Sequence, residues 1–411
     1  MSEILTLDIE SIAAGGDGVA RHEGMVVFVP RTAAGDRVVA RVTRRGRMAR
    51  GVVERVERAS PDRVSPECPH YQEDRCGGCQ LQHLSIATQR ESKRVIIRDA
   101  MRRIGRREVP LPELRGGERE WRYRRKLTLA LRREGPAWRV GLHAFDDPGR
   151  VFDLVDCRIA DERLLQIWRE ILLAQTRLPE AVALRGSVRL LGERAAFVIE
   201  GGEAWPDHAA FFAGVPSLAA LWWTPEGGAR RLLHDRRAAA EPGASFVQVN
   251  PEMAARLAAF VVDAVMAYAP RIVVDAYAGA GDVAMALAER GVRVTAIELD
   301  EEASRWSAAR LPGSSRAVHA RVEDALGAAL PADVVLLNPP RAGVDARVTS
   351  LLAAGAAPVR AIVYVSCDPA TLARDVGRLA SWRVARLTAF DLFPQTAHVE
   401  TVCELVPAEA G

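Results

Sequence analysis

The stretch RIVVDAYAGAGDV, Arg271 to Val283, joins an apolar run to a glycine-rich turn and leads into a segment of helical period. Ile272, Val273 and Val274, closed by Asp275, read as a buried strand, and Gly279 and Gly281 permit a sharp turn that lets backbone approach a ligand closely. The pattern recurs downstream. VRVTAIE (292–298), AVHARVE (317–323), ADVVLLN (332–338) and AIVYVSC (361–367) are four more apolar runs, separated by segments of helical period. Strand-helix alternation of this kind implies an α/β fold with a parallel, doubly wound sheet, whose ligands lie at the carboxyl ends of its strands.

At those ends the residue types suit an adenosine-containing ligand. Glu298 closes the second strand, where a carboxylate can accept both ribose hydroxyls, and Asp324 is expected to end the third strand within reach of an adenine amino group. Gly279-Ala280-Gly281-Asp282-Val283-Ala284 also satisfies the dinucleotide pattern G-x-G-x-x-A, so a nicotinamide oxidoreductase stands as a rival at this point. Asn338-Pro339-Pro340-Arg341, at the end of the fourth strand, resembles the acidic or amide plus Pro-Pro signature of methyltransferases that act on planar nitrogen or ring carbon. A nicotinamide enzyme has no use for it. Amino-group methylases usually place an aromatic residue after the prolines, and Arg341 stands there, which favours chemistry at a ring carbon.

Cys367 follows the fifth strand in YVSCDPATLARD (364–375), with a helix expected from Pro369. Carbon 5 of uracil is a poor nucleophile; a thiolate adding to carbon 6 turns the ring into an enolate that can attack a methylsulfonium. The helix N-terminus or a cation such as Arg341 is expected to depress the thiol pKa. A base must then remove the carbon-5 proton. Glu400, in FPQTAHVETV (393–402), is the candidate, with His398 second. Without this context Cys367 would read as a buried small hydrophobe, as Cys403 does.

The 411 residues exceed one core, and three regions are expected: a small β-barrel over 1–58, a central α+β domain over 59–240, and the nucleotide-binding domain over 241–411. ILTLDIE, GMVVFVP, DRVVARVTR and RGVVERVE alternate apolar and polar residues between turn signals, the pattern of a closed barrel of the kind that often binds single-stranded nucleic acid. A helix is expected from Ser85 to Ile104, with Ile86, Val95 and Ile97 apolar and arginines facing out. The formal net charge is only +3, but Gln89 to Arg139 holds 17 Lys+Arg against 7 Asp+Glu, which suits a polyanion. Trp121 and Tyr123 are interleaved with Arg122, Arg124 and Arg125, a mixture suited to phosphate contacts and base stacking. Neither an apolar run of membrane-spanning length nor a leader peptide is visible, so a cytoplasmic, monomeric protein without a membrane partner is expected. Cys68, Cys76, Cys79 and Cys157 then read as metal ligands rather than disulfides, and their spacing admits zinc or a [4Fe-4S] cluster.

Taken together, these motifs resemble the RNA uracil-5-methyltransferases, S-adenosylmethionine-dependent enzymes that make 5-methyluridine in ribosomal or transfer RNA. The resemblance spans nearly the whole chain. It implies a TRAM-like (OB-like) barrel, a central domain with a cysteine cluster, and a C-terminal Rossmann-like methyltransferase domain. SCDPATLARD looks like the family's nucleophile motif, and FPQTAHVETV like its general-base motif. Phe246-Val247-Gln248-Val249-Asn250 matches an element whose glutamine helps bind the methyl donor. The resemblance therefore implies a donor site of Gln248, Tyr277, Asp282, Glu298, Asp324 and Asn338, catalysis by Cys367 and Glu400, and a [4Fe-4S] cluster, rather than zinc, on Cys68, Cys76, Cys79 and Cys157. Asn338 replaces a common aspartate and Asp282 a frequent asparagine. The implied substrate is 23S ribosomal RNA, with transfer RNA the alternative, and a noncatalytic RNA-binding protein is the non-enzymatic rival.

Overall fold

The computed structural model describes residues 2–46, 48–238, 242–244, 248–355 and 359–408. Phe246 and Val247 of the glutamine motif lie outside the described residues. Contacts divide the chain into two units, one of Met1–Ser65, Gln80–Gly117 and Met253–Gly411, the other of Pro66–Cys79 and Glu118–Glu252.

In the first unit, six strands between Ser2 and Arg58 form a sheet around Leu7, Val27, Val29, Val38, Ala40 and Val42. Alternation explains it: each strand turns every second residue inward, and Val38, Ala40 and Val42 share the face opposite Arg37 and Arg41. The helix Ile86–Arg103 starts at Ser85, whose hydroxyl accepts the Thr88 N–H.

The second sheet of this unit has eight strands. Arg316–His319, Arg293–Glu298, Ile272–Ala276, Val334–Leu337 and Ala361–Ser366 run parallel in that spatial order, and the antiparallel Glu400–Pro407 and Trp382–Asp391 extend the sheet to Glu113–Gly116. Val334–Leu337 and Ala361–Ser366 are buried at every position, because crossover helices cover both faces. One strand is shorter than expected. The run 317–323 is a strand only to His319, and a helix begins at Val322 with Glu323 and Asp324 in its first turn, where acidic side chains favour the helix dipole.

The second unit is a seven-stranded sheet with the helix Glu162–Leu173 packed on it through Leu164, Ile167, Trp168 and Ile171. Among the described residues, no helix is long and apolar enough to cross a membrane.

Candidate active site

The turn after Ile272–Ala276 is built on three residues with left-handed backbone, Tyr277 (φ 64°), Gly279 (φ 56°) and Gly281 (φ 80°). Gly281 caps the helix Asp282–Glu289, and a β-carbon there would lie 2.2 Å from Ser307 Oγ, so the position requires glycine. Gly279 N–H donates to Glu298 Oε2 at 2.8 Å and Asp300 N–H to Oε1 at 2.7 Å. Two backbone donors thus aim the Glu298 carboxylate, and each oxygen keeps acceptor capacity for a ribose hydroxyl. Beneath it Asp275 is 2% exposed; burial foremost, then Glu298, pushes its carboxyl up to about 7 against a hydrogen bond from the Ala284 N–H. Its Oδ2 has no hydrogen-bond partner. Tyr277 is half-buried, and burial followed by Glu323 raises its phenol to about 12.

Glu298, Tyr277 and Asn338 stand at the carboxyl ends of three adjacent parallel strands, with the Asn338 N–H bonded to the Ala276 carbonyl at 3.1 Å. Two other expected donor contacts point elsewhere. Asp282 is largely exposed and paired with Arg310 at 2.7 Å, and Asp324, moved into a helix by the early end of its strand, pairs with Arg347 at 2.9 Å. Gln248 belongs to the other contact unit.

The antiparallel ladder between Ala361–Ser366 and Glu400–Pro407 runs from Ile362 opposite Leu405 to Ser366 opposite Thr401. The register ends there; Cys367 and Glu400 are the next residues beyond it, and Glu400 is among the charges that act on the Cys367 thiol. Cys367 is partly exposed, whereas Glu400 is 3% exposed. Burial raises the Cys367 thiol above its ordinary value, Glu400 and Asp368 push the same way, and the Arg341 guanidinium opposes them. The expectation of a depressed thiol pKa is therefore not met, and the cause is local. Asp368 caps the helix Pro369–Arg378 and accepts the N–H groups of Ala370 and Thr371, at 2.9 and 2.8 Å, so the helix terminus is neutralised by a carboxylate beside the sulfur. His398 is exposed, edge-on to Phe393 at 6.1 Å between ring centroids.

Asp375, at the end of the same motif, escaped the sequence reading. It is fully buried and accepts from Tyr364 Oη (2.9 Å), Val344 N (3.0 Å), Arg374 Nε (2.9 Å) and Arg378 Nη1 (3.2 Å). Arg374 Nη2 also donates to the Ala342 carbonyl at 2.7 Å. These bonds fasten the turn that carries Arg341 to the helix behind Cys367. A carboxylate in a motif otherwise read for its cysteine gave no signal of this role.

In the second unit, Cys68, Cys76, Cys79 and Cys157 form no disulfide and are each exposed by 9% or less, and Cys68, Cys79 and Cys157 share one core. Four buried thiols suit a metal centre chemically, but among the described residues no group of three or more potential ligands is arranged to hold an ion. Arg122 is committed to this region rather than to phosphate: it forms a fork to Asp156 at 2.8 and 3.0 Å and bonds the Cys157 and Ala160 carbonyls at 2.9 and 3.2 Å. Arg124 Nε likewise donates to the Lys126 carbonyl at 2.9 Å.

Two family descriptions match: a TRAM domain over residues 2–51, and tRNA (Uracil-5-)-methyltransferase over residues 314–406. An uncharacterized RNA methyltransferase of Protochlamydia amoebophila is 30% identical, with 98% of this chain and 99% of the relative covered. The 23S rRNA (uracil(1939)-C(5))-methyltransferase of Halomonas elongata is 33% identical, with 96% and 88% covered, and that of Shewanella sediminis is 30% identical, with 98% and 96% covered. Among solved structures, the tRNA (uracil-54, C5)-methyltransferase of Pyrococcus abyssi in complex with S-adenosyl-L-homocysteine has a TM-score of 0.68 at 23% identity, covering 98% of this chain and 100% of that one. That likeness is one of fold.

Proposed function

We infer the reaction from one premise: this chain belongs to the S-adenosylmethionine-dependent RNA uracil-5-methyltransferases. It transfers the methyl group of S-adenosylmethionine to carbon 5 of a uracil in RNA. We propose that Cys367 is the nucleophile and Glu400 the general base, and one observation supports the assignment: the two residues flank the last pair of the ladder, Ser366 and Thr401, and the Glu400 charge acts on the Cys367 thiol.

The chemistry follows from their shared charge. A thiolate beside the Glu400 carboxylate is disfavoured, and Arg341 is the cation that opposes this. The Cys367 thiolate adds to carbon 6 of the ring, forming a C–S bond and placing an electron pair on carbon 5. That carbon displaces S-adenosylhomocysteine as it takes the methyl group. Sulfur is now an uncharged thioether, so Glu400 no longer faces a thiolate and can hold its charge as a base. It removes the carbon-5 proton, the electron pair re-forms the ring double bond, and the C–S bond breaks to release the thiolate. Glu298, Tyr277 and Asn338 form the donor seat, with Gln248, Asp282 and Asp324 assigned to it by the family resemblance.

The substrate is 23S ribosomal RNA, a reading supported by the names of relatives at 30–33% identity, and the protein works in the cytoplasm as a monomer. The barrel and the basic 89–139 segment supply its RNA surface. A uridine within folded RNA must be unstacked, at about a few kcal/mol, before both its faces are reachable. Cys68, Cys76, Cys79 and Cys157 would hold the [4Fe-4S] cluster, which would cross-link the 68–79 segment to the Cys157 loop. No step of methyl transfer runs through it. Iron and sulfide analysis of anaerobically purified protein tests that occupant, with zinc alone as the contrary result.

Mapping 5-methyluridine in RNA from cells lacking the gene tests the substrate. The expected result is loss of one 23S position; loss confined to transfer RNA would overturn the choice of RNA.

A further inference from the structure

Glu400 begins its strand directly after the segment Leu392–Val399, which contains no helix or strand. Such a segment holds its shape only through side-chain bonds and packing. Gln395 within it has left-handed backbone, φ 72°, an uncommon conformation for a residue with a β-carbon. The bonds that hold it come from far away in sequence. Gln89, 1% exposed on the helix Ile86–Arg103, accepts the Gln395 N–H at 2.8 Å and donates to Gln395 Oε1 at 3.0 Å. Lys93, one turn on and fully buried, donates to Asp391 Oδ1 at 2.6 Å and to the Phe393 carbonyl at 3.0 Å. Arg90 Nε reaches the other Asp391 oxygen at 3.3 Å.

The preceding turn adds two more ties. Leu81 N–H bonds the Gln395 carbonyl at 3.0 Å, and Gln80 Oε1 accepts the Ala397 N–H at 3.3 Å. Ile12 and Ala33 of the N-terminal barrel pack with Leu81, Leu84 and Ala397 in one cluster. Burying a lysine and a glutamine is costly unless their bonds are satisfied; Gln89 also donates to the Leu81 and Leu84 carbonyls at 3.1 and 3.0 Å, and the other bonds of the two residues end on Asp391, Phe393 and Gln395, in the stretch leading to Glu400.

We propose that Gln89 and Lys93 are positioning residues for the general base, acting through the Asp391–Val399 segment to place the Glu400 carboxylate for removal of the carbon-5 proton. The inference rests on the assignment of Glu400 as that base. Cys367 follows the strand Ala361–Ser366, on which none of the hydrogen bonds of Gln89 and Lys93 ends. Loss of the clamp therefore slows release of the adduct and spares its formation.

Single-turnover reactions of the full-length protein with S-adenosylmethionine and uridine-containing RNA read the two steps apart. Gln89→Met is expected to form the covalent adduct at close to the native rate and to release it about tenfold or more slowly, an effect of the size a misplaced base produces. Thermal unfolding and S-adenosylhomocysteine affinity on the same sample report folding. Gln80→Ala, which removes the tie to the Ala397 N–H, gives the same direction with a smaller effect and decides the matter if Gln89→Met does not fold. Native release rates, or formation and release slowed in equal measure, would overturn the proposal. Glu400→Gln is the control: if it accumulates no adduct, the base assignment itself fails, whatever Gln89→Met does.

Discussion

Cys367 and Glu400 flank the Ser366–Thr401 pair that ends the ladder, and the Glu400 carboxylate opposes ionisation of the Cys367 thiol. Neither group can take a negative charge without the other resisting it. On the proposed roles, part of the work of binding RNA is to present a ring that consumes the sulfur's charge as it forms.

Alkylation of Cys367 by iodoacetamide reads this directly. Because burial and Glu400 raise the thiol, the reactive thiolate is scarce at neutral pH, and the rate should climb through pH 9 instead of levelling below it. Glu400→Gln removes a charge that opposes ionisation and should move the profile to lower pH; Arg341→Gln removes the opposing cation and should move it higher. Peptide mass spectrometry separates Cys367 from the other cysteines. A profile that neither substitution moves would contradict the arrangement.

Asp275 gives a pH-dependent stability of known sign. Its folded pKa of about 7 lies above the ordinary 3.8, so between those values the native state binds a proton that the unfolded chain does not. That contribution is complete below the unfolded value and is lost as pH rises toward 7. Asparagine cannot ionise and keeps an acceptor for the Ala284 N–H. Asp275→Asn should therefore raise Tm relative to the native protein by roughly several degrees at pH 8 and by much less at pH 5. Calorimetry at the two pH values checks it; an equal difference at both would refute it.

Tyr364→Phe removes one of four donors to the buried Asp375 carboxylate and should cost about 1–3 kcal/mol of stability in denaturant unfolding. Asp375→Asn should cost more, since it strips the charge that Arg374 and Arg378 both face. The reverse order would mean that the carboxylate does not organise the turn.

Arg122 separates structure from RNA contact. Its guanidinium is spent on Asp156 and two carbonyls, so Arg122→Ala should lower stability by about 2 kcal/mol while leaving the log-affinity against log-salt slope for RNA unchanged. Loss of about one unit of slope would restore Arg122 to the phosphate-binding set.

The parallel sheet was legible because its strands are continuous apolar runs buried on both faces, and the Cys367–Glu400 pair because both sit at strand ends in chemically unusual company. Asp324 was misplaced for a local reason: AVHARVE keeps an alternating pattern after the strand has ended at His319, and its last two residues already belong to the helix that begins at Val322. Gln89 and Lys93 stayed hidden because their partners lie about 300 residues away, as with the 306-residue separation of Gln89 and Gln395. A signal did exist. Gln89, Lys93, Ile96, Ile97 and Met101 form one buried stripe at helical spacing, and two polar residues within such a stripe point to an interior partner. Within 89–139, Arg90, Arg122 and Arg124 bind carboxylates or carbonyls of the protein itself, a commitment that charge counting does not reveal.

Covalent capture tests the central claim most directly. Incubated with S-adenosylmethionine and RNA carrying 5-fluorouridine at the target position, whose fluorine cannot leave as a proton does, the native protein should gain the mass of the methylated RNA, with the bond mapped to Cys367, and Cys367→Ala should gain none. A Cys367→Ala protein that still forms the adduct, or a native protein that methylates ordinary RNA yet never traps the fluorinated one, would contradict it.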